Sequence, residues 1–243
     1  MSDALLTARN VSKRFGITQA LDDVSVSFRV GEVHALMGEN GAGKSTLGKV
    51  ISGLHRQDTG TVAIDGRVLR PGSIDDAFHA GIRIVHQELA QCPNLTVAEN
   101  LCLHDIPRTR LGLVDDRAMC QRAERLLAKL EPGIDVRAKL GSLSPGHRQI
   151  VQIASSLDEN PGKAAAEGAH PARVIVLDEP TSSLSIAEVE RLLAIVRRLA
   201  EQGLTLIYVS HRMGEIFAVC DRVTVLRDGK FVATSNVKDM DEA

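Results

Sequence analysis

From Val24 to Val30 the chain alternates apolar and polar residues, the period-two pattern of a half-buried strand. Thr61–Arg70 sets Asp65-Gly66 between two strand-like runs, and Val223–Thr234 does the same around Asp228-Gly229, so both stretches predict hairpins. Glu32–Gly38 reads as a strand that ends in a glycine-rich turn, and Lys44–Leu54 reads as helix. Gly48 inside that helix costs about 1 kcal/mol relative to alanine. The period changes in the middle of the chain. Between Asp115 and Leu130 apolar residues recur at helical spacing with charges between them, and residues from roughly 90 to 160 are expected to form a mostly helical subdomain. Arg173–Asp178 and Leu204–His211 are short, nearly continuous apolar runs, as in strands buried on both faces of a parallel sheet. Ala187–Gly203 between them is an amphipathic helix ending on a glycine cap. Strands alternating with helices predict an α/β core.

Composition adds limits. The 243 residues are 44% hydrophobic and 25% charged, which is ordinary for a globular chain that buries its own core. The net charge of −2 offers no global basic field, so nucleic acid is not expected as a partner. No run of about eighteen apolar residues is present to span a membrane, and the opening residues lack an apolar signal core. Cys92, Cys102, Cys120 and Cys220 are far apart without a CxxC pair and read as reduced cytosolic thiols. The one low-complexity stretch, Asn160–Arg173, reads as a surface loop.

Gly38-Glu39-Asn40-Gly41-Ala42-Gly43-Lys44-Ser45 has the spacing G-x-x-x-x-G-K-[ST], and Thr46 follows it into the helix. Glycines let the backbone curl until successive N–H groups converge on phosphate oxygens. The helix that follows turns its positive end toward the same anion. Lys44 adds a mobile charge for the outer phosphates, and Ser45 offers a hydroxyl to Mg²⁺. A chance glycine-rich turn with this spacing arises in roughly one chain of this length in a hundred, and here the motif also lies between a strand and a helix, where it must. Further on, the apolar strand Val174–Leu177 runs into Asp178-Glu179-Pro180. Carboxylates at the carboxyl edge of a parallel sheet stand where α/β ligands bind. Asp178 is suited to hold Mg²⁺ directly or through water, and Glu179 to orient or deprotonate an attacking water.

These two motifs, with others in the same order, resemble the ATP-binding cassette family over nearly the whole chain. The resemblance implies a P-loop NTPase core with an antiparallel β subdomain and an inserted α-helical subdomain, here core at about 1–89 and 161–243 and helical part at about 90–160. It implies ATP and Mg²⁺ as ligands and ATP hydrolysis as the activity. Phe15 in VSKRFG falls at the aromatic position that stacks on adenine, and Gln87 in VHQEL at the glutamine that senses Mg²⁺ and the transmembrane partner. Leu143-Ser-Pro-Gly-His147 resembles the LSGGQ signature, whose Ser144 and Gly146 would bind the γ-phosphate held by a second cassette. Ser183-Leu184-Ser185 matches the D-loop, and His211 the switch histidine that contacts the γ-phosphate. With Lys44 and Glu179, His211 completes the catalytic set.

Three departures from the family pattern stand out. Pro145 and His147 replace the usual Gly and Gln, and proline removes an N–H, which predicts a poorer γ-phosphate binder. Ser185 replaces the usual Asp, yet Ser185-Ile-Ala-Glu188 still reads as a helix capping box. Asn160–Arg173 is longer than the family's connection at this point. His86–Leu101 and Asp178–Leu192 resemble the first cassette of monosaccharide importers of the ribose, xylose, arabinose and galactose type. That resemblance implies the amino-terminal cassette of a longer chain, paired with a second cassette, fused or in trans. It implies transmembrane permease subunits and, through them, an external substrate-binding protein, with the cassette cytoplasmic and peripheral on the inner face of the membrane. The competing expectations are a soluble ATPase of the same family acting in translation or DNA repair, for which no long charged linker or basic surface is visible, and a nucleotide-binding regulator without hydrolysis, against which Glu179 and His211 argue.

Overall fold

A computed structural model describes residues 4–85, 91–103, 105–158 and 170–240. Two sheets are present among these residues. The first is antiparallel, in the order β2-β1-β4-β5, formed by β1 (Ala4–Phe15), β2 (Thr18–Arg29), β4 (Thr59–Ile64) and β5 (Arg67–Val68). The second runs β10-β9-β3-β8-β7-β6, from β3 (Val33–Met37), β6 (Ile82–Val85), β7 (Val174–Asp178), β8 (Thr205–Val209), β9 (Arg222–Arg227) and β10 (Lys230–Asn236). Its pairs are parallel except for the β9–β10 hairpin at the edge. Both predicted hairpins turn on left-handed Asp-Gly pairs, with φ of 49° and 77° at Asp65-Gly66 and 50° and 76° at Asp228-Gly229, the geometry a two-residue turn demands.

The apolar strands are buried on both faces because two separate cores need them. On β7, Val174 and Val176 point into a core shared with β1, β2 and the helix α1 (Lys44–Ile51), whereas Ile175 and Leu177 point into a core shared with the remaining large helices. On β8, Ile207 and Val209 join the first core, and Leu206 and Tyr208 the second. The parallel sheet is thus the middle layer of three. Gly48 in α1 has a packing reason: a Cβ there would stand 2.9 Å from Val176 Cγ1. The intrinsic cost of glycine is the condition for seating α1 this close to β7.

The second core is completed by α3 (Val97–Leu101), α4 (Asp116–Ala128), α5 (Pro145–Ser156), α6 (Ile186–Glu201) and α7 (Met213–Val219). A short α2 (Ile74–His79) precedes β6. The predicted α4 buries Met119, Cys120, Ala123 and Leu127, the stripe its spacing indicated. The predicted α6 starts on the Ser185–Glu188 capping box and stops at Gln202 with Gly203 at φ 93°. Within the stretch expected to be mostly helical, α3, α4 and α5 are helices, whereas 129–144 is turns with one 3-10 turn at Leu140–Ser142, and 105–115 is a turn-rich excursion closed by an Arg108–Val114 bridge and a bond from Asp115 N–H to Pro107 O. Pro107 and Gly112 supply the reason, since neither belongs in a helix interior. All four cysteines are free thiols, three of them buried. No helix among the described residues is long and apolar enough to cross a membrane.

Candidate functional site

The carboxyl ends of β3, β7 and β8 lie side by side, and three loops leave from them. The loop after β3 needs glycine for steric reasons beyond φ. A Cβ on Gly43 (φ 96°) would stand 2.5 Å from the Ala20 carbonyl oxygen, and one on Gly38 would overlap that of Leu226. The loop is therefore clamped between the β1–β2 sheet and β9, and its amides precede α1. Lys44, 5% exposed, folds back so that its Nζ donates to Gly38 O (2.7 Å) and Glu39 O (2.9 Å). Burial pulls its pKa below the ordinary lysine value, against the attraction of Glu179 and Asp178. Asn40 to Thr46, with Glu179, line an open cleft of about 170 Å³.

Asp178 closes β7 with its carboxylate buried, and Ser45 Oγ donates to Asp178 Oδ1 at 2.7 Å. Glu179, one residue on, takes φ 46°, a left-handed conformation unusual for a side chain of this size. Its N–H donates to Val209 O of β8, and its Oε1 lies 3.4 Å from His211 Nδ1. Phe15, at the end of β1, is half exposed, edge-on to His55 with centroids 5.2 Å apart and with Lys13 Nζ 5.2 Å from its ring. A larger groove of about 450 Å³, lined by Arg29, Glu32, Arg197, Asp221, Arg222 and Lys238, lies at the amino ends of β3 and β9. The smaller cleft is the one at the carboxyl ends of the strands, where ligands of α/β sheets sit.

Ser144 and Gly146 do not line this cleft. Ser144 is the N-cap of α5 and its side chain accepts from His147 N–H at 3.3 Å. Pro145 occupies the first helical turn, where its missing N–H costs the helix nothing. Gly146 N–H donates to Glu188 Oε1 at 3.0 Å, and the Ser144 hydroxyl also bonds the Glu188 carboxylate. Glu188 Oε2 takes the N–H and hydroxyl of Ser185. Bonds from Ser185, Ser144 and Gly146 hold its carboxyl pKa down to about 2. A Cβ on Gly146 would meet that carboxylate at 2.8 Å. The pair expected to face a phosphate thus has a resident carboxylate from its own chain. Gln87 lies outside the described residues, as does most of Asn160–Arg173.

One residue escaped the sequence reading. Glu215 stands four positions after His211, yet its buried carboxylate meets Thr181, Tyr208, Ser210 and Arg212. The only signal in the sequence is a carboxylate in the first turn of a helix that follows a buried strand, and a capping role accounts for that equally well.

Residues 21–182 match the family described as ABC transporter, and the chain belongs to that family as an ATP-binding cassette. It is 47% identical to a ribose import ATP-binding protein, RbsA, of Chromobacterium violaceum over 98% of its length and 45% of that protein's. It is 46% identical to an arabinose import ATP-binding protein, AraG, of Pseudomonas savastanoi pv. phaseolicola over 97% of its length and 44% of that protein's. The chain therefore spans about half the length of these relatives. Among solved structures it resembles a nucleotide-free ATP-binding cassette from an ABC transporter (TM-score 0.82, 26% identity, 96% of this chain and 91% of that one). It also resembles an ADP-bound cassette (TM-score 0.80, 25% identity, 98% and 94%).

Proposed function

We propose that this cassette binds and hydrolyses ATP to energise the import of a monosaccharide through permease subunits in the membrane. The observation that carries the reading is the convergence, on one sheet edge, of the amide-lined loop with Lys44, the Ser45–Asp178 pair and the Glu179–His211 pair. Identity to ribose and arabinose import proteins over nearly the whole chain supports the sugar class.

Phosphoryl transfer to water asks a protein for positioning and charge stabilisation. The N–H groups of Gly41–Thr46, with Glu39 and Asn40 beside them, would cradle the β- and γ-phosphates, Lys44 turning from its carbonyl partners onto them. Phe15 would stack on adenine. Mg²⁺, when bound, neutralises charge on the phosphates. Ser45 Oγ and Asp178 Oδ1, hard oxygen donors 2.7 Å apart, fit an ion that takes one or two protein oxygens and keeps the rest of its shell for phosphate and water. Gln87 is proposed as a further contact. Glu179 would orient the attacking water and take its proton, and His211 would hold the γ-phosphate side. Ser144 and Gly146 would close over the nucleotide of a second cassette, fused carboxyl-terminally or supplied in trans. The relatives' doubled length and the irregular signature support the amino-terminal cassette of a two-cassette protein. Core at about 1–89 and 161–243 and a helical part at about 90–160 is the matching domain division. The cassette would sit in the cytoplasm, peripheral on the inner membrane face, with a substrate-binding protein reached only through the permease and no nucleic acid involved.

The test is light scattering after size exclusion on Glu179→Gln, with and without Mg-ATP, followed by turnover in the assembled importer. The expected results are ATP retention without turnover, association that requires ATP, and wild-type turnover stimulated by a sugar-loaded binding protein. Failure to bind ATP overturns the reading. ATP binding with no response to any sugar-loaded binding protein overturns its sugar part.

A further inference from the structure

Behind the reactive edge, on the helix side of the parallel sheet, a single carboxylate ties together the two loops that carry Glu179 and His211. Glu215 stands in the first turn of α7 and is 6% exposed. Its Oε2 accepts from Tyr208 Oη at 2.8 Å and from Ser210 Oγ at 3.1 Å. Thr181 Oγ1, 2.8 Å from Oε1 and 3.0 Å from Oε2, also donates to the carboxylate, and Arg212 Nη1 reaches Oε1 at 3.3 Å. Thr181, Ser210 and Tyr208 are all buried. Burial beside the Glu215 charge keeps the Tyr208 phenol protonated, its pKa raised far above the ordinary value. A buried carboxylate is tolerated only when donors surround it, and here one donor, Thr181, comes from the loop after β7 while Tyr208, Ser210 and Arg212 come from β8 and the loop that follows it.

The placement of those donors gives the cluster its meaning. Thr181 follows Glu179 by two residues. Ser210 immediately precedes His211, and its Oγ also accepts from Arg212 N–H at 3.1 Å, fixing the turn into α7. Glu179 itself occupies a left-handed backbone conformation that persists only when its surroundings hold it. Its direct tie to the β8 loop is one N–H bond to Val209 O and the 3.4 Å contact with His211. Glu215 supplies a second tie, joining Thr181 of the loop after β7 to Ser210 of the loop after β8.

We propose that Glu215 is a positioning residue for hydrolysis, holding Glu179 and His211 in register through Thr181 and Ser210 without touching nucleotide itself. The inference rests on the reading of Glu179 and His211 as the hydrolytic pair. Cap-only service to α7 is the competing role. It predicts a loss of stability that follows Glu215 alone. Positioning predicts a loss of turnover that passes through His211 and follows the Thr181 and Ser210 hydroxyls as well.

The experiment is ATPase kinetics on the full chain in its assembled, partner-bound form, with nucleotide affinity measured separately. Glu215→Gln keeps shape but turns one acceptor into a donor facing donors. It is expected to lower kcat by about tenfold to a hundredfold, the scale of a small misplacement of reacting groups, while ATP affinity changes less than about twofold because the loop before α1 is untouched. In a His211→Ala background the same change is expected to add little, the signature of two residues acting through one element. Thr181→Val and Ser210→Ala each cut one tie and leave Glu215 in place. They are expected to lower kcat with KM intact, and they carry the test if Glu215→Gln does not fold. Unchanged kcat in these variants, an effect that multiplies fully with His211→Ala, or a loss of ATP affinity parallel to the loss of kcat overturns the inference. Glu179→Gln is the separate control: if it leaves turnover intact, the hydrolytic reading falls. If it abolishes turnover while the Thr181, Ser210 and Glu215 variants remain fully active, only the positioning role falls.

Discussion

Replacing Ser45 by alanine probes the pair that joins the loop before α1 to the end of β7. The change removes one hydroxyl, whose 2.7 Å bond ends on the Asp178 carboxylate, itself 4% exposed. A hydrogen bond to a charged group contributes about 1.5–3 kcal/mol. Because Ser45 also borders the open cleft, water reaches the freed position and the loss falls at the low end, about 1.5 kcal/mol. For a chain of this size that lowers Tm by about 3–6 °C, measured by thermal unfolding without nucleotide. The second reading is calorimetric titration of ATP. With EDTA present, Ser45→Ala should bind ATP within about twofold of wild type, because loop amides and Lys44 do not need the hydroxyl. With Mg²⁺ present, affinity should fall by about tenfold, the equivalent of 1.4 kcal/mol for one lost metal contact. The same loss of affinity with and without Mg²⁺ refutes the assignment of Ser45 and Asp178 to a shared cation site, and an unchanged Tm refutes the bond between them.

Three other perturbations follow from the same structure. His34 is fully buried between Glu32 and Thr224, and burial lowers its pKa below the ordinary 6.5. The unfolded chain therefore takes up the proton first, so this contribution to stability is present above pH 6.5 and is lost as pH falls through and below it. His34→Gln should flatten the fall in Tm between about pH 7 and pH 5, and an unaltered slope counts against the buried neutral ring. Gly48→Ala, which would stabilise an exposed helix by about 1 kcal/mol, should instead lower the denaturation midpoint, because its Cβ meets Val176 Cγ1 at 2.9 Å. A raised midpoint would mean that α1 and β7 can separate freely. Glu188→Ala should strip the Gly146 amide of its acceptor and raise its hydrogen-exchange rate, whereas Ser185→Ala, which leaves the Glu188–Gly146 bond in place, should not. Equal protection in wild type and Glu188→Ala would show that the bond is not kept in solution.

Much of this protein was determined by local sequence. Asp65-Gly66 and Asp228-Gly229 specify their turns because few other residue pairs accept two successive left-handed conformations. Ser185 and Glu188 specify the start of α6 because the Glu188 carboxylate reaches back to accept the Ser185 N–H and hydroxyl. The G-x-x-x-x-G-K-S spacing and the Asp-Glu pair after an apolar strand indicate a nucleotide site because few backbones other than glycine's can curl around phosphate. Tertiary structure decided what depends on residues far apart in the chain. That Val176 and Ile175 feed different cores, and that Gly48 is needed for α1 to touch the former, follows only from stacking three layers. That the Ser144 and Gly146 donors are met by Glu188, forty-two residues beyond Gly146, and that Glu215 collects Thr181, Ser210 and Tyr208, has no trace in periodicity or spacing. Hydrogen bonds of that kind are set by where separate strands and helices end in space, and the sequence pattern of each element carries only which face is buried.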